Sequence, residues 1–63
     1  MTVTINYTYK HSKDGFNHIF ENVTSIKETF DYKLGAEVTL KIEGKRNRVR
    51  IPAIEIRYMT VIE

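Results

Sequence analysis

Cysteine is absent from this 63-residue chain, proline occurs once and glycine three times. Without cysteine there is no disulfide, no cysteine-ligated zinc or iron–sulfur centre and no thiol nucleophile, a composition that fits a reducing cytoplasm. Gly15, Gly35 and Gly44 are isolated from one another, so no glycine-rich phosphate loop exists and each glycine is free to make a turn. No run approaches the roughly 20 apolar residues of a membrane-spanning helix. The opening MTVTINYTYK has neither a basic segment nor an apolar stretch of the secretory kind, so the chain is expected to be soluble, cytoplasmic and complete. Asn6-Tyr7-Thr8 and Asn22-Val23-Thr24 match the glycosylation sequon, and without a secretory signal they read as chance matches.

What the chain does contain is alternation. A length of 63 residues supports one small domain, in which only about 60% of the unfolded surface becomes buried. Hydrophobic residues at 41% and charged residues at 29% describe a globular domain and exclude a disordered tail. From Thr2 to Lys10, Val3, Ile5, Tyr7 and Tyr9 alternate with polar residues, the pattern of a half-buried strand. Asp14-Gly15 favours a hairpin turn, which would place Tyr9 opposite Phe20 and His11 opposite His18.

Residues 16–32 admit two readings. Phe16, Ile19, Phe20, Val23, Ile26 and Phe30 fall at helical spacings. Against a helix stands Asn22-Val23-Thr24-Ser25-Ile26, a run of poor helix formers at its centre. The preferred reading is two strands broken by a turn or bulge near Glu21-Asn22, with an α+β chain carrying one helix in 16–31 as the alternative.

The segment Ala36 to Pro52 is the most explicit. Val38, Leu40 and Ile42 alternate with Thr39, Lys41 and Glu43, and after Gly44-Lys45 the residues Val49 and Ile51 alternate with Arg48 and Arg50. A two-residue turn at Gly44-Lys45 would pair Leu40 with Val49 and Val38 with Ile51 on the apolar face. On the other face it would pair Glu43 with Arg46, Lys41 with Arg48 and Thr39 with Arg50. Residues 41–50 hold five basic groups and one acid, while the rest of the chain holds five basic groups and seven acids. The positive field is therefore local to this hairpin, and Lys41, Lys45, Arg46, Arg48 and Arg50 are the candidate site for nucleic acid or for an acidic protein surface. Its bland counterpart is an edge hairpin kept soluble by its arginines.

Pro52 ends the hairpin, a tight helical turn follows, and a last strand over 57–62 is expected beside the first. The predicted architecture is an all-β small barrel with strands at 2–10, 16–21, 23–32, 36–43 and 46–51 and a sixth short segment at 57–62. Its predicted core is Val3, Ile5, Tyr7, Phe20, Val23, Ile26, Val38, Leu40, Val49, Ile51, Ile56 and Met59.

Phe20-x-x-Val23-x-x-Ile26, Leu40-x-Ile42, Gly44-Lys45 and Ile51-Pro52-x-x-x-Ile56-x-x-Met59-x-Val61 together resemble the small SH3-like β-barrel proteins of bacteria and their phages. The resemblance implies a five-stranded barrel with a short helical turn before the last strand. Such barrels bind DNA, RNA or protein, so no functional residue carries over from it.

Other chemistry is thin. His11 and His18 would supply two metal ligands, with Asp14 or Glu21 needed to complete a site, so neither a metal nor another cofactor is expected. Ser12, His11 and Asp14 have the residue types of a hydrolytic triad, but they lie in one turn and lack the separated elements that hold a triad in place. The expected function is therefore that of a non-enzymatic module that binds nucleic acid. The alternative is a protein-interaction or self-assembling module, such as a phage or mobile-element factor that modulates a host protein through an open strand edge.

Overall fold

The computed structural model describes residues 1–13, 15–33 and 35–63. Six strands form in chain order: β1 (Thr2–Tyr7), β2 (Asn17–Phe20), β3 (Val23–Asp31), β4 (Gly35–Ile42), β5 (Val49–Pro52) and β6 (Ile56–Ile62), with a single 3-10 turn at Ala53–Glu55. All ladders are antiparallel and make two three-stranded sheets, ordered β2-β1-β6 and β3-β4-β5. The chain is all-β, and the helix alternative for 16–31 is overturned. β-branched and aromatic residues there favour strands, Asn22 disfavours a helix interior, and the helical spacing of the apolar residues is incidental. Among the described residues no helix is long and apolar enough to cross a membrane.

The two sheets meet at a corner near Asn22. Its φ of 59° lies in the left-handed region, which asparagine tolerates better than most residues. Before the corner the β1–β2 register pairs Val3 with Phe20. After it, Met1 and Val23 exchange hydrogen bonds of 2.9 and 3.0 Å, so one extra residue has entered the β2 side. That bulge bends one continuous run of chain from the first sheet into the second.

The core lies between the inward faces. Val3, Ile5, Tyr7, Phe20, Val23, Val38, Leu40 and Ile51 are buried, with Met1, Ile26, Ile42, Val49, Ile56 and Met59 packed against them. Every predicted core position is in one of these two groups; Met1 and Ile42 are additions. Ile5, Leu40 and Val3 have no exposed surface at all and fix where the sheets press together.

Two expectations are corrected here. β1 ends at Tyr7 and not at Lys10; its last bond to the β2 side is from the Tyr7 N–H to the Phe16 carbonyl, and the Thr8 N–H donates at 2.9 Å to the Glu55 carbonyl on the opposite side. The first hairpin pairs Val3 with Phe20 and Ile5 with His18, so the pairs Tyr9–Phe20 and His11–His18 do not form as cross-strand partners. Ser12 and Gly15 exchange two hydrogen bonds of 3.1 Å at that turn, and Asp14, expected at its centre, lies outside the described residues.

The second hairpin keeps its register but not its turn. Leu40–Val49, Thr39–Arg50 and Val38–Ile51 pair as expected. The turn is not Gly44-Lys45, however. The Lys45 N–H donates at 3.1 Å to the Ile42 carbonyl, which puts Gly44, at φ 79°, on the third residue of the turn. The Glu43 N–H is held by the Asn22 carbonyl at 2.9 Å, so β4 stays attached to the corner and the 46–48 segment returns outside the ladder. The pairs Glu43–Arg46 and Lys41–Arg48 are accordingly absent from it, and β5 starts at Val49 rather than at 46.

Candidate nucleic-acid interface

The outward face of β3-β4-β5 is built by parity. Side chains that alternate with buried Val38 and Leu40 must point away from the core, and the register aligns them across three strands: Ser25 with Lys41, Lys27 with Thr39, Thr29 with Glu37, and Thr39 with Arg50. With residues 46–48 curling back beside them, these side chains enclose an open groove of about 780 Å³. Its cations are Lys27, Lys41, Arg46, Arg48 and Arg50. Ser25, Thr29, Thr39 and Asn47 supply hydroxyl and amide groups, and among the described residues Glu37 is the one carboxylate that lines it.

Glu37 is already engaged. Arg50 donates from both Nε, at 2.9 Å, and a terminal guanidinium nitrogen, at 2.6 Å, to the same carboxylate oxygen. The arginine side chain is 63% exposed, so the pair contributes about 0–1 kcal/mol and serves chiefly to hold the guanidinium along the groove wall. The remaining four cations have no hydrogen bond or ion pair to a carboxylate among the described residues.

Four of the five predicted site residues, Lys41, Arg46, Arg48 and Arg50, come together in this groove. Lys45 does not line it; its role in the backbone is to close the turn onto Ile42. Lys27 is the residue that sequence reasoning left out of the patch. It alternates with Ile26 along β3, and the pairing of β3 with β4 places it beside Thr39.

The tyrosines are elsewhere. Tyr7 is buried, Tyr58 lies on the other sheet, and Tyr32, 99% exposed, stands edge-on to Phe30 at the far end of the β3–β4 hairpin with ring centroids 5.9 Å apart. Burial raises the Tyr7 hydroxyl pKa, with the Glu55 charge adding to it. The Tyr9 hydroxyl is also raised, first by desolvation and then by its hydrogen bond to Glu55. No aromatic ring lines the groove, so its contacts are with charge and hydrogen-bonding groups and not with base faces.

His11 and His18 do meet, by a route the strand register does not supply. Leaving β1, the chain lays His11 between Tyr7, at 4.5 Å, and His18, at 4.7 Å, and His18 packs on Phe20 at 4.0 Å. Burial, reinforced by neighbouring His11, lowers the His18 pKa from 6.5. Its Nδ1 is buried without a hydrogen-bond partner, as is the Oδ1 of Asn6, whose Nδ2 donates at 2.6 Å to Asn17. Among the described residues no three of His, Asp and Glu converge to hold a metal ion. Of the triad residue types, His11 is exposed with its ring stacked on Tyr7 and His18, and Asp14 lies outside the described residues.

No family model, no curated protein and no solved structure matches the chain.

Proposed function

We propose that this protein is a small, non-enzymatic, cytoplasmic binding module of SH3-like barrel type that holds the phosphate backbone of a nucleic acid in the groove of β3-β4-β5. The barrel reading is supported by the topology: the first strand lies between its neighbour and the last strand, one bent run serves both sheets, and a 3-10 turn precedes the final strand. The observation that carries the binding reading is five cations on one concave face with a single, already paired, carboxylate. Arg48 and Arg50, two residues apart where the chain enters β5, are spaced by about 6.6 Å if extended, close to the repeat of phosphates along a strand, and Arg46 adds to them from the segment that curls back beside the ladder. Hydroxyl and amide groups between the cations suit the remaining phosphate oxygens.

The test is fluorescence anisotropy with short single- and double-stranded DNA and RNA at about 50 and 200 mM salt, the range over which multi-phosphate contacts lose orders of magnitude of affinity. Salt-sensitive binding that disappears in the triple change Arg46→Ala, Arg48→Ala, Arg50→Ala supports the reading. Absence of binding to all four probes at the lower salt refutes it. A second reading, a module that contacts an acidic host protein, is favoured by one observation: Phe30, 71% exposed, and Tyr32 form an uncovered aromatic tip beyond the groove. A pull-down that loses its protein partner with Phe30→Ala, Tyr32→Ala would select it.

A further inference from the structure

Each sheet leaves two strand edges open, β2 and β6 in one and β3 and β5 in the other. An open edge pairs with any strand that reaches it, and chains guard such edges by shortness, charge or proline. Three of the four are guarded. β2 has four residues, β5 has four and ends in Pro52, and β3 carries Lys27, Glu28 and Asp31. β6 is the exception, with seven residues, most of them exposed, and Arg57 as its single charge.

The register says which backbone groups of β6 face outward. The Tyr7 N–H donates to the Phe16 carbonyl toward β2, and the Thr8 N–H to the Glu55 carbonyl on the opposite side. Odd residues of β1 therefore address β2, and even ones address β6. Thr4 paired with Thr60 and Thr2 with Ile62 then spend the N–H and C=O of Thr60 and Ile62 on β1, and turn those of Met59 and Val61 to the open edge.

We propose that β6 pairs antiparallel with β6 of a second copy of this chain, about a two-fold axis at Thr60, joining two three-stranded sheets into one of six strands. Charge selects the copy and the register. Antiparallel pairing about Thr60 places Arg57 opposite Glu63 of the other copy at both ends, Tyr58 opposite Ile62, and Met59 opposite Val61 with their outward groups aligned. An axis at Met59 would set Glu63 against Glu55, and one at Val61 would set it against Met59. The outer face of this sheet, with Thr2, Thr4, Asn17, Ile19, Thr60 and Ile62, bears no charged residue along these registers, while the cationic groove lies on the other sheet. Two copies of a chain of net charge +2 therefore approach here without setting groove against groove. A seven-residue edge, roughly 24 Å long, is small beside the ~800 Å² per partner of a standard interface, so the dimer belongs with the weak, concentration-dependent ones.

Sedimentation velocity over a wide concentration range should show the 7.4 kDa chain passing to a species of twice that mass. Arg57→Glu should weaken association by about 10-fold, and Arg57→Glu with Glu63→Arg should restore it, because both exposed pairs are then reversed together. The chain has no cysteine, so Thr60→Cys introduces a lone thiol. On the axis its Cα would lie about 4.5 Å from its counterpart, within disulfide reach. Under mild oxidation it should cross-link at least ~10-fold faster than Tyr58→Cys, whose partner is Ile62. A single-chain mass throughout, equal cross-linking of the two variants, or a charge swap that fails to restore association would each overturn the proposal.

Discussion

If the groove holds phosphates as proposed, the pairing of Glu37 with Arg50 would act as a brake on that binding, and releasing it is the sharpest test of the proposal. With Arg50 held, four cations remain to meet phosphates: Lys27, Lys41, Arg46 and Arg48. Counterion release then gives a slope of log K against log salt of about −3.6 on duplex DNA, or about a 150-fold loss between 50 and 200 mM salt. Glu37→Gln keeps the size and hydrogen-bonding capacity of the side chain but removes its charge. Freeing Arg50 should steepen the slope to about −4.5 and the loss to about 500-fold, while binding at the lower salt tightens. Anisotropy titrations of both proteins at five salt concentrations measure the two slopes directly. Identical slopes would show that Arg50 never contacts phosphate or that Glu37 never restrained it, and a flat slope in the parent protein would refute phosphate binding by this face.

Leu40 has no exposed surface and faces Ile26 and Val49 across β4, so Leu40→Ala should cost about 2–5 kcal/mol in urea denaturation, most of the stability of a domain this small. At Asn22, where φ is positive, Asn22→Val should destabilise by about 1–2 kcal/mol while Asn22→Gly is tolerated, and equal effects in the two variants would refute the left-handed corner. His18 gives a pH dependence. Its pKa is lowered in the folded state, so as pH falls below 6.5 the unfolded chain takes up the proton first. Its contribution is therefore complete above 6.5 and is lost as pH drops from there toward the lowered folded value, and His18→Phe should flatten the thermal-stability profile in that window.

Hydrophobic alternation made the strands and the core legible because within each strand the buried hydrophobic side chains obey the period of two; buried Asn6, between Ile5 and Tyr7, is the polar exception. It also fixed the β4–β5 register, although the turn assigned to it was wrong. A slip of one residue would have set arginine against Leu40, whereas moving the turn from Gly44-Lys45 to Ile42–Lys45 altered only where the ladder ends. The first hairpin shows the limit of the same argument. Its true register differs from the one that Asp14-Gly15 implies by an even number of residues, so Val3, Ile5 and Phe20 face inward in either case. Side-chain pattern is blind to an even shift. In the structure Tyr7 makes the last β1–β2 bond, to the Phe16 carbonyl, and the next residue, Thr8, bonds Glu55 on the opposite side.

The groove was half legible for a related reason. Arginines alternating with Val49 and Ile51 declare a cationic face on one hairpin, and that face exists. Whether a third strand extends it depends on a long-range pairing, β3 against β4, that local pattern supports without specifying. One residue did carry a hint. Glu28 breaks the apolar alternation of β3, and in the structure it stands opposite Val38 where the hairpin begins to run out past the core. Beyond it Phe30 faces Ala36 and is largely exposed, so an apolar residue on the core-facing side of a strand is here a surface one. The same extension carries Lys27 and Thr29 across the outer face to meet Thr39 and Glu37, which makes the basic surface three strands wide and concave. A flat two-stranded ribbon would touch a phosphate chain along one line, whereas a twisted three-stranded face brings cations to it from both sides. The strand that overruns the core is therefore also the one that completes the groove.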